Sequence, residues 1–189
     1  MTPRVSILTP TIEGRESLLA DAAASVRAQT EEVAHLIYLD TERIGPARAR
    51  NLLLERVATE WVGFLDDDDL LDSTHVASLM ALLANGDTPP DLAWSRCRTV
   101  AAPGVIAARV PQTMRPDYAT MIRSGRNMIP VTVIARTDSI RKMWGFSAAA
   151  RYEDYDLWCR MWTAGMSFAY LPSVTWTYRF LGENRTWTG

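Results

Sequence analysis

The stretch WVGFLDDDDLL, Trp61–Leu71, joins an apolar run to four consecutive aspartates. The apolar part, Trp61–Leu65, has the length and composition of a buried β-strand, so the four carboxylates are predicted to follow a strand end directly. Neighbouring carboxylates repel one another and raise one another's pKa. A solvated acidic loop is one interpretation, but it does not explain why the acids follow buried residues. A bound cation explains the pattern better.

Strand-like and helix-like segments alternate around this stretch. Strands are predicted at Val5–Thr9, Ala34–Leu39, Trp61–Leu65, Leu92–Val100, Ile129–Ala135, Phe168–Leu171 and Val174–Tyr178. Helices are predicted at Ser17–Gln29, from Gly45 through Val57, and at Val76–Leu83, Asp138–Trp144 and Tyr155–Thr163. The segment Ala101–Gln112 is broken by proline and glycine and fits neither pattern. This alternation predicts an α/β fold with a mostly parallel, twisted central sheet flanked by helices.

Length and composition favour one domain over residues 1–189. The chain is 48% hydrophobic and 22% charged, which is ordinary for a globular protein with a single core. No apolar stretch approaches the roughly 20 residues that span a bilayer. The first residues also lack the pattern of a signal peptide. We therefore expect a cytoplasmic protein without a transmembrane segment.

Polar residues follow each of the first three predicted strands. Pro10, Thr11 and Glu13 follow the first strand, Asp40 follows the second, and Asp66–Asp69 follow the third. Ligands of open α/β sheets bind beyond the carboxyl ends of the strands. Mg²⁺ and similar ions take carboxylate oxygens and share their remaining positions with substrate phosphates. A metal-assisted ligand site is therefore predicted at this edge, although Asp40 alone would also suit a turn.

A second acidic cluster lies in RYEDYDLWCRMWTAG, Arg151–Gly165. Glu153 and Asp154 stand where the first turn of a helix is predicted. Carboxylates at that position are stabilised by the helix dipole, and on local sequence alone this capping interpretation is favoured. The functional interpretation is a general base that takes a proton from a hydroxyl group.

Taken together, these motifs resemble inverting family-2 glycosyltransferases of the GT-A fold. The order of the motifs carries the resemblance, in the segments VSILTPTIEGRESLLADAAASVRAQT, LIYLD, GPARARN, WVGFLDDDDLL, RKMWGFS, YEDYDLWCRMWTAG and YRFLGENRT. The resemblance implies a GT-A-type fold. Residues 1–95 would form the half that binds the nucleotide sugar, and residues 96–189 would form the acceptor half with the catalytic base.

The resemblance also implies a role for each matched residue. The donor-binding residues would be Pro10, Thr11, Glu13, Asp40, Arg50, Asp66, Asp67 and Arg179. Asp68 and Asp66 would hold Mn²⁺ or Mg²⁺, and the metal would neutralise the departing diphosphate. Asp154 would be the base that deprotonates the acceptor hydroxyl. The acceptor-side residues would be Trp144, Gly145 and Glu153.

The implied donor is a nucleotide-diphospho-sugar, with a UDP-sugar as the usual case in the family. The distribution of charge along the chain gives an indication of the acceptor. Residues 1–95 hold 7 basic and 16 acidic side chains, whereas residues 96–151 hold 10 basic and 2 acidic ones. A basic segment suits an anionic acceptor, such as a glycolipid, a phosphorylated polymer or a hydroxylated base in DNA. Arginines that face solvent or pair within the protein would give the same count, so both interpretations stay open.

Several positions depart from the family pattern. Glu13 stands where many members have asparagine, Trp144 and Ser147 replace the first glycine and the acid of the G-G-F-D/E turn, and Leu181 replaces a histidine. Two alternatives are also considered. One is a nucleotidyltransferase on a related α/β scaffold, although TIEGRES is a poor phosphate loop. The other is an inactive nucleotide-sugar-binding protein, against which the retained Asp68 and Asp154 argue.

Overall fold

One mixed β-sheet runs through the protein, which a computed structural model describes over residues 3–85, 88–101, 118–125 and 127–181. Its strands in these ranges are β1 Val5–Thr11, β2 Val33–Leu39, β3 Trp61–Phe64, β4 Leu70–Leu71, β5 Leu92–Ala101, β6 Val133–Arg136 and β7 Phe168–Phe180. They lie in the order β2-β1-β3-β6-β5-β7-β4. Only β6 and β4 run against the others, so the sheet is mostly parallel, as predicted.

Helices cover both faces of this sheet. The described helices are α1 Glu16–Arg27, α2 Pro46–Glu55, α3 His75–Leu83, α4 Tyr118–Ser124, α5 Thr137–Lys142 and α6 Glu153–Thr163. Successive strand residues point to opposite faces, so Ile7 and Leu8 of β1 enter different cores. Leu8 joins Leu53 of α2 and Trp158 of α6, whereas Ile7 joins Val26 of α1 and residues of α3. The first core thus places α2 and α6 on the same face of the sheet.

The structure corrects several predicted element boundaries. The strands predicted at Phe168–Leu171 and Val174–Tyr178 are one strand, β7, because an irregular register against β5 accommodates the Pro172 region instead of ending the strand. The strand predicted from Ile129 begins only at Val133, whose amide donates to the carbonyl of Val131 in a tight turn. The short elements β4 and α4 were not predicted. All of the ambiguous segment except Ala101 lies outside the described residues.

Within the described ranges, every helix is too short or too polar to span a lipid bilayer.

Candidate active site

The four aspartates form a tight loop between β3 and β4. The amide of Asp69 donates to the carbonyl of Asp66 at 3.1 Å, which closes a turn over the four residues. The following two-residue strand β4 pairs with β7 and fixes the far side of the loop. This turn brings its first and last residues, Asp66 and Asp69, together. The side-chain contacts divide the run of acids into two groups.

Asp66, Asp68 and Asp69 form the first group, called here the acid triad. Each offers a carboxylate oxygen, and these oxygens lie within 4.8 Å of one another. Burial and the charge of Asp66 raise the pKa of Asp68, and burial raises the pKa of Asp69 well above its usual value. A divalent cation would relieve both effects, and an all-oxygen donor set suits Mg²⁺ or Mn²⁺. Asp69 was not among the predicted ligands, although the turn that brings it to Asp66 lies within the acidic run.

Asp67 is not one of the three triad acids and is buried, with 5% of its surface exposed. Thr11 donates to its Oδ2 at 2.6 Å, and Arg15 Nε donates to the same oxygen at 2.9 Å. Arg15 Nη2 also reaches Asp68 Oδ2 at 2.6 Å. Two predicted donor-binding residues, Thr11 and Asp67, therefore contact each other. Arg15 was missed by the sequence reasoning, because nothing in its local sequence shows that it reaches the aspartate loop.

Asp40 shapes the entry to α2. Its two carboxylate oxygens accept hydrogen bonds from the amides of Ile44 and Gly45, both at 2.9 Å. Gly45 adopts a left-handed φ of 89°, which a side chain would disfavour, and Pro46 begins the helix. Asp40 thus has the turn role that was the simpler interpretation of this residue. Its contact with a nucleotide stays a prediction, as do those of the partly buried Pro10 and the exposed Glu13.

Arg50 of α2 joins the acid triad to the second acidic cluster. Its side chain is 4% exposed, and its Nη2 donates to Asp66 Oδ1 at 2.5 Å. Its Nη1 donates to Glu153 Oε1 at 2.6 Å, and its guanidinium lies 5.4 Å from the centre of the Phe146 ring. The fold therefore brings the predicted donor side and the predicted acceptor side together at one buried cation.

Asp154 lies in the first turn of α6, next to Glu153. Asn127 Nδ2 donates to its Oδ2 at 2.8 Å, and the amide of Tyr155 donates to its Oδ1 at 2.7 Å. Burial, followed by the charge of Glu153, raises the pKa of Asp154 to about 6, although Arg50 and these hydrogen bonds oppose the shift. A carboxylate that titrates this close to neutrality is suited to general-base chemistry. The capping interpretation alone does not account for this raised pKa.

A turn of unusual conformation precedes α6. Trp144 and Gly145 both have left-handed φ values, 62° and 68°, and the side chain of Trp144 is 93% exposed. The amide group of Asn51 holds the turn, because its Oδ1 accepts from the amide of Phe146 at 2.9 Å and its Nδ2 donates to the same residue's carbonyl at 2.8 Å. An open groove of about 790 Å³ runs beside the turn, between α5 and α6.

Arg179 approaches the acid triad from β7. Its backbone amide donates to Asp69 Oδ1 at 2.9 Å, and its guanidinium donates to the carbonyl of Asp68 and to Asp21. Positive charge thus reaches the triad from three elements, through Arg15 at the start of α1, Arg50 of α2 and Arg179. Such an arrangement suits an anionic ligand group next to a metal ion.

A mixed sheet of this order with an acid triad beyond β3 defines a GT-A-type α/β protein. Residues 19–126 match the family model described as Glycosyl transferase family 2, and the chain belongs to this family. No curated protein sequence matches the chain significantly.

Solved structures support the same fold. Residues 1–349 of TarS from S. aureus superpose with a TM-score of 0.72 at 13% identity, over 93% of this chain and 60% of that one. The complex of the same TarS fragment with UDP-GlcNAc superposes with a TM-score of 0.72 at 14% identity, over 98% of this chain and 61% of that one. The mannosyltransferase PcManGT from Pyrobaculum calidifontis, in complex with GDP-Man and Mn²⁺, superposes with a TM-score of 0.65 at 17% identity. This match covers 94% of this chain and 57% of PcManGT. The chain thus spans about 60% of the length of the TarS fragment.

Proposed function

We propose that this chain transfers a sugar from a nucleotide-diphospho-sugar to a hydroxyl group of an acceptor, with inversion at the anomeric carbon. The observation that carries the proposal is the buried Arg50, which joins Asp66 of the acid triad to Glu153, the neighbour of Asp154. One buried side chain thereby links the acid triad to the neighbour of the candidate base. Membership of the family favours glycosyl transfer over nucleotidyl transfer.

The acid triad would hold Mn²⁺ or Mg²⁺. Three carboxylates within 4.8 Å of one another suit either ion, and the structurally similar PcManGT is in complex with Mn²⁺. A bound metal would neutralise the negative charge that develops on the leaving diphosphate. Arg15 and Arg179, which both contact the aspartate loop, would add fixed positive charge on the same side.

The donor would lie along the carboxyl ends of β1, β2 and β3. The similar structures contain UDP, UDP-GlcNAc and GDP-Man, so a nucleotide sugar is the expected ligand and a UDP-sugar the first candidate. Pro10 and Glu13 would contact the donor directly. Thr11 and Asp40 would shape the pocket through the bonds that they make to Asp67 and to the start of α2.

Asp154 would act as the base. One of its oxygens takes the proton of the acceptor hydroxyl while the hydroxyl oxygen forms a bond to the anomeric carbon. The bond between that carbon and the diphosphate oxygen breaks, and its electron pair leaves with the nucleoside diphosphate. Attack from the face opposite the leaving group inverts the configuration. The acceptor hydroxyl must therefore lie within hydrogen-bond reach of Asp154.

The acceptor would bind near Trp144 and Gly145, next to the start of α6, where Glu153 is paired with Arg50. The exposed ring of Trp144 offers a flat aromatic face on which the apolar face of a sugar ring can stack. The support for an anionic acceptor is the excess of basic residues between positions 96 and 151. Arg98 is already paired with Asp72 at 2.7 Å, and the exposed Arg96 is the other arginine of the basic segment near the start of β5. The remaining arginines before residue 127, Arg109, Arg115, Arg123 and Arg126, have side chains outside the described structure.

Thermal unfolding with candidate ligands tests the donor and the metal. UDP, UDP-GlcNAc, GDP, GDP-mannose and ATP are each added with and without Mn²⁺ or Mg²⁺. A ligand at 100 times its Kd stabilises the folded state by about 2.7 kcal/mol. We expect such stabilisation from one diphosphate and its sugar, only when metal is present. Asp68→Asn should abolish it.

Asp72→Asn is the matched control, because Asp72 pairs with Arg98 outside the acid triad and its substitution should leave the stabilisation intact. Stabilisation by ATP alone would instead support a nucleotidyltransferase. No response to any nucleotide would contradict the proposed function.

A further inference from the structure

Arg50 lies where three parts of the protein meet, and the proposed reaction requires these parts to keep fixed positions relative to one another. It lies on α2, contacts Asp66 in the loop after β3, and contacts Glu153 in the first turn of α6. We propose that Arg50 and Glu153 are positioning residues, which set the base Asp154 relative to the acid triad without touching substrate. This inference rests on the proposed function.

The geometry of the ion pairs supports this role. The two terminal nitrogens of one guanidinium each bind a different carboxylate, at 2.5 Å to Asp66 and at 2.6 Å to Glu153. Asp66 and Glu153 are far apart in the sequence and lie on separate elements. The planar fork of arginine fixes the directions of both contacts, which the single ammonium of lysine does not do. One buried side chain therefore sets how the aspartate loop faces α6.

The surroundings of Arg50 leave it little freedom to move. Its Nε is buried and has no hydrogen-bond partner, so the two carboxylates and the ring of Phe146 determine where the guanidinium lies. The next residue, Asn51, binds both backbone groups of Phe146. Adjacent residues of α2 thus hold the aspartate loop, the turn before α6 and the start of α6 itself.

Loss of this bridge should affect chemistry more than donor binding. The donor and the metal would still bind to the acid triad. Without the Arg50–Glu153 ion pair, however, the start of α6 that carries Asp154 would no longer be tied to the aspartate loop. A misplacement of about 1 Å can slow a positioned reaction about 100-fold. Asn127 would still hold one oxygen of Asp154, so the loss should be partial.

Steady-state kinetics of Glu153→Gln and Arg50→Lys test the proposal. The release of nucleoside diphosphate is followed with UDP-GlcNAc or GDP-mannose and Mn²⁺, whichever the wild type uses. The measurement is made at pH 8, where Asp154 is ionised with or without its charged neighbour. We expect kcat to fall at least about tenfold, which is about 1.4 kcal/mol of barrier, with the donor KM within about twofold. The kcat of Arg50→Lys should also fall, because lysine keeps the positive charge but cannot bind both carboxylates as the arginine fork does.

Asp72→Asn is the matched control. Asp72 follows β4 and pairs with Arg98 of β5 at 2.7 Å, so its substitution removes an arginine–carboxylate pair that lies outside the proposed bridge. The kcat of Asp72→Asn should stay within about twofold of the wild type. Equal kcat values in Glu153→Gln and Asp72→Asn would overturn the proposal.

Hydrogen exchange separates this proposal from the proposed function, because it needs no turnover. In the protein without ligand, Glu153→Gln and Arg50→Lys should speed exchange at the first hydrogen-bonded amides of α6, residues 156–158, relative to the wild type and to Asp72→Asn. On addition of UDP or GDP, whichever stabilises the wild type, together with Mn²⁺, the wild type should gain protection there, whereas Glu153→Gln should gain it only around residues 66–69. Unchanged exchange in the ligand-free variants would overturn the positioning role. Absence of any response of the wild type to UDP and to GDP with Mn²⁺ would instead count against the proposed function.

Discussion

At the scale of single residues, the decisive features are carboxylates whose neighbours shift their protonation. The pKa of Asp154 is raised to about 6 by burial and then by the charge of Glu153. The sequence predicts both the acidic run and this candidate base. It does not predict which of the acids lie close enough together to hold one cation, because side-chain directions within a tight turn depend on backbone geometry. For the same reason Asp69 joins the triad while Asp67 turns to Thr11 and Arg15.

The raised pKa of Asp154 predicts a specific pH dependence. A general base works when it is ionised, so kcat/KM should rise about tenfold per pH unit below about pH 6 and level off above it. Asp154→Asn should remove the activity together with this limb of the profile. The measurement is the initial rate of diphosphate release from pH 5 to pH 8, with UDP–Mn²⁺ binding measured at each pH as the control. A rate that stays flat across this range while binding is constant would contradict the assignment.

Trp144 predicts a conflict between stability and function. The family often has glycine at this position, and here Trp144 keeps the left-handed backbone that glycine adopts readily, with φ of 62°. Such a conformation costs about 1–2 kcal/mol for a residue with a side chain. Trp144→Gly should therefore raise the free energy of unfolding by about 1 kcal/mol and at the same time weaken transfer to the acceptor.

Urea unfolding of Trp144→Gly and Trp144→Ala separates the backbone effect from the loss of the ring. Alanine keeps the strained backbone and also lacks the exposed ring, so Trp144→Ala should show no gain in stability. A gain of the same size in both variants would show that the exposed ring, and not the backbone, is the destabilising feature.

At the scale of elements, α2 does more than cover the sheet. The helix was predicted from Gly45 and begins at Pro46, after Gly45 with its positive φ, and its residues Arg50 and Asn51 contact two different loops. The helix itself is predictable from its apolar spacing and its start signal. The contacts of Asn51 are not, because they reach the turn at Phe146, 95 residues further along the chain. Such long-range contacts leave no local pattern.

The contact between Asn51 and the turn predicts coupled effects on stability. Asn51→Ala leaves buried backbone groups of Phe146 unpaired and should cost about 1–3 kcal/mol. Gly145→Ala should also destabilise, because its φ is positive and its Cβ would lie 2.3 Å from Asn51 Oδ1. The double variant should cost less than the sum, because removal of the asparagine amide also removes the clash. Additive losses in urea unfolding would contradict this packing.

At the scale of the whole molecule, the order of the strands assembles the site. β1, β2 and β3 run parallel side by side, so their carboxyl ends meet at one edge, as the alternation predicted. The antiparallel β6 then connects this half to β5 and β7, and α6 packs on the same face as α2. The sequence predicted the first half well, because its elements alternate regularly. It predicted the second half less well. There, the short β6 and the irregular β7 form because they pair with neighbouring strands, and this pairing leaves no local sequence pattern.

In the proposed reaction the acid triad binds the metal and the donor, and Asp154 takes the proton of the acceptor. The most direct test is the metal-dependent release of nucleoside diphosphate by Asp154→Asn, compared with the wild type, from a nucleotide sugar that both proteins bind with Mn²⁺. We predict that Asp154→Asn keeps the metal-dependent binding of the donor but releases the diphosphate at least about 100-fold more slowly, the size of effect expected for a general base. Equal rates of release at equal binding would contradict the claim.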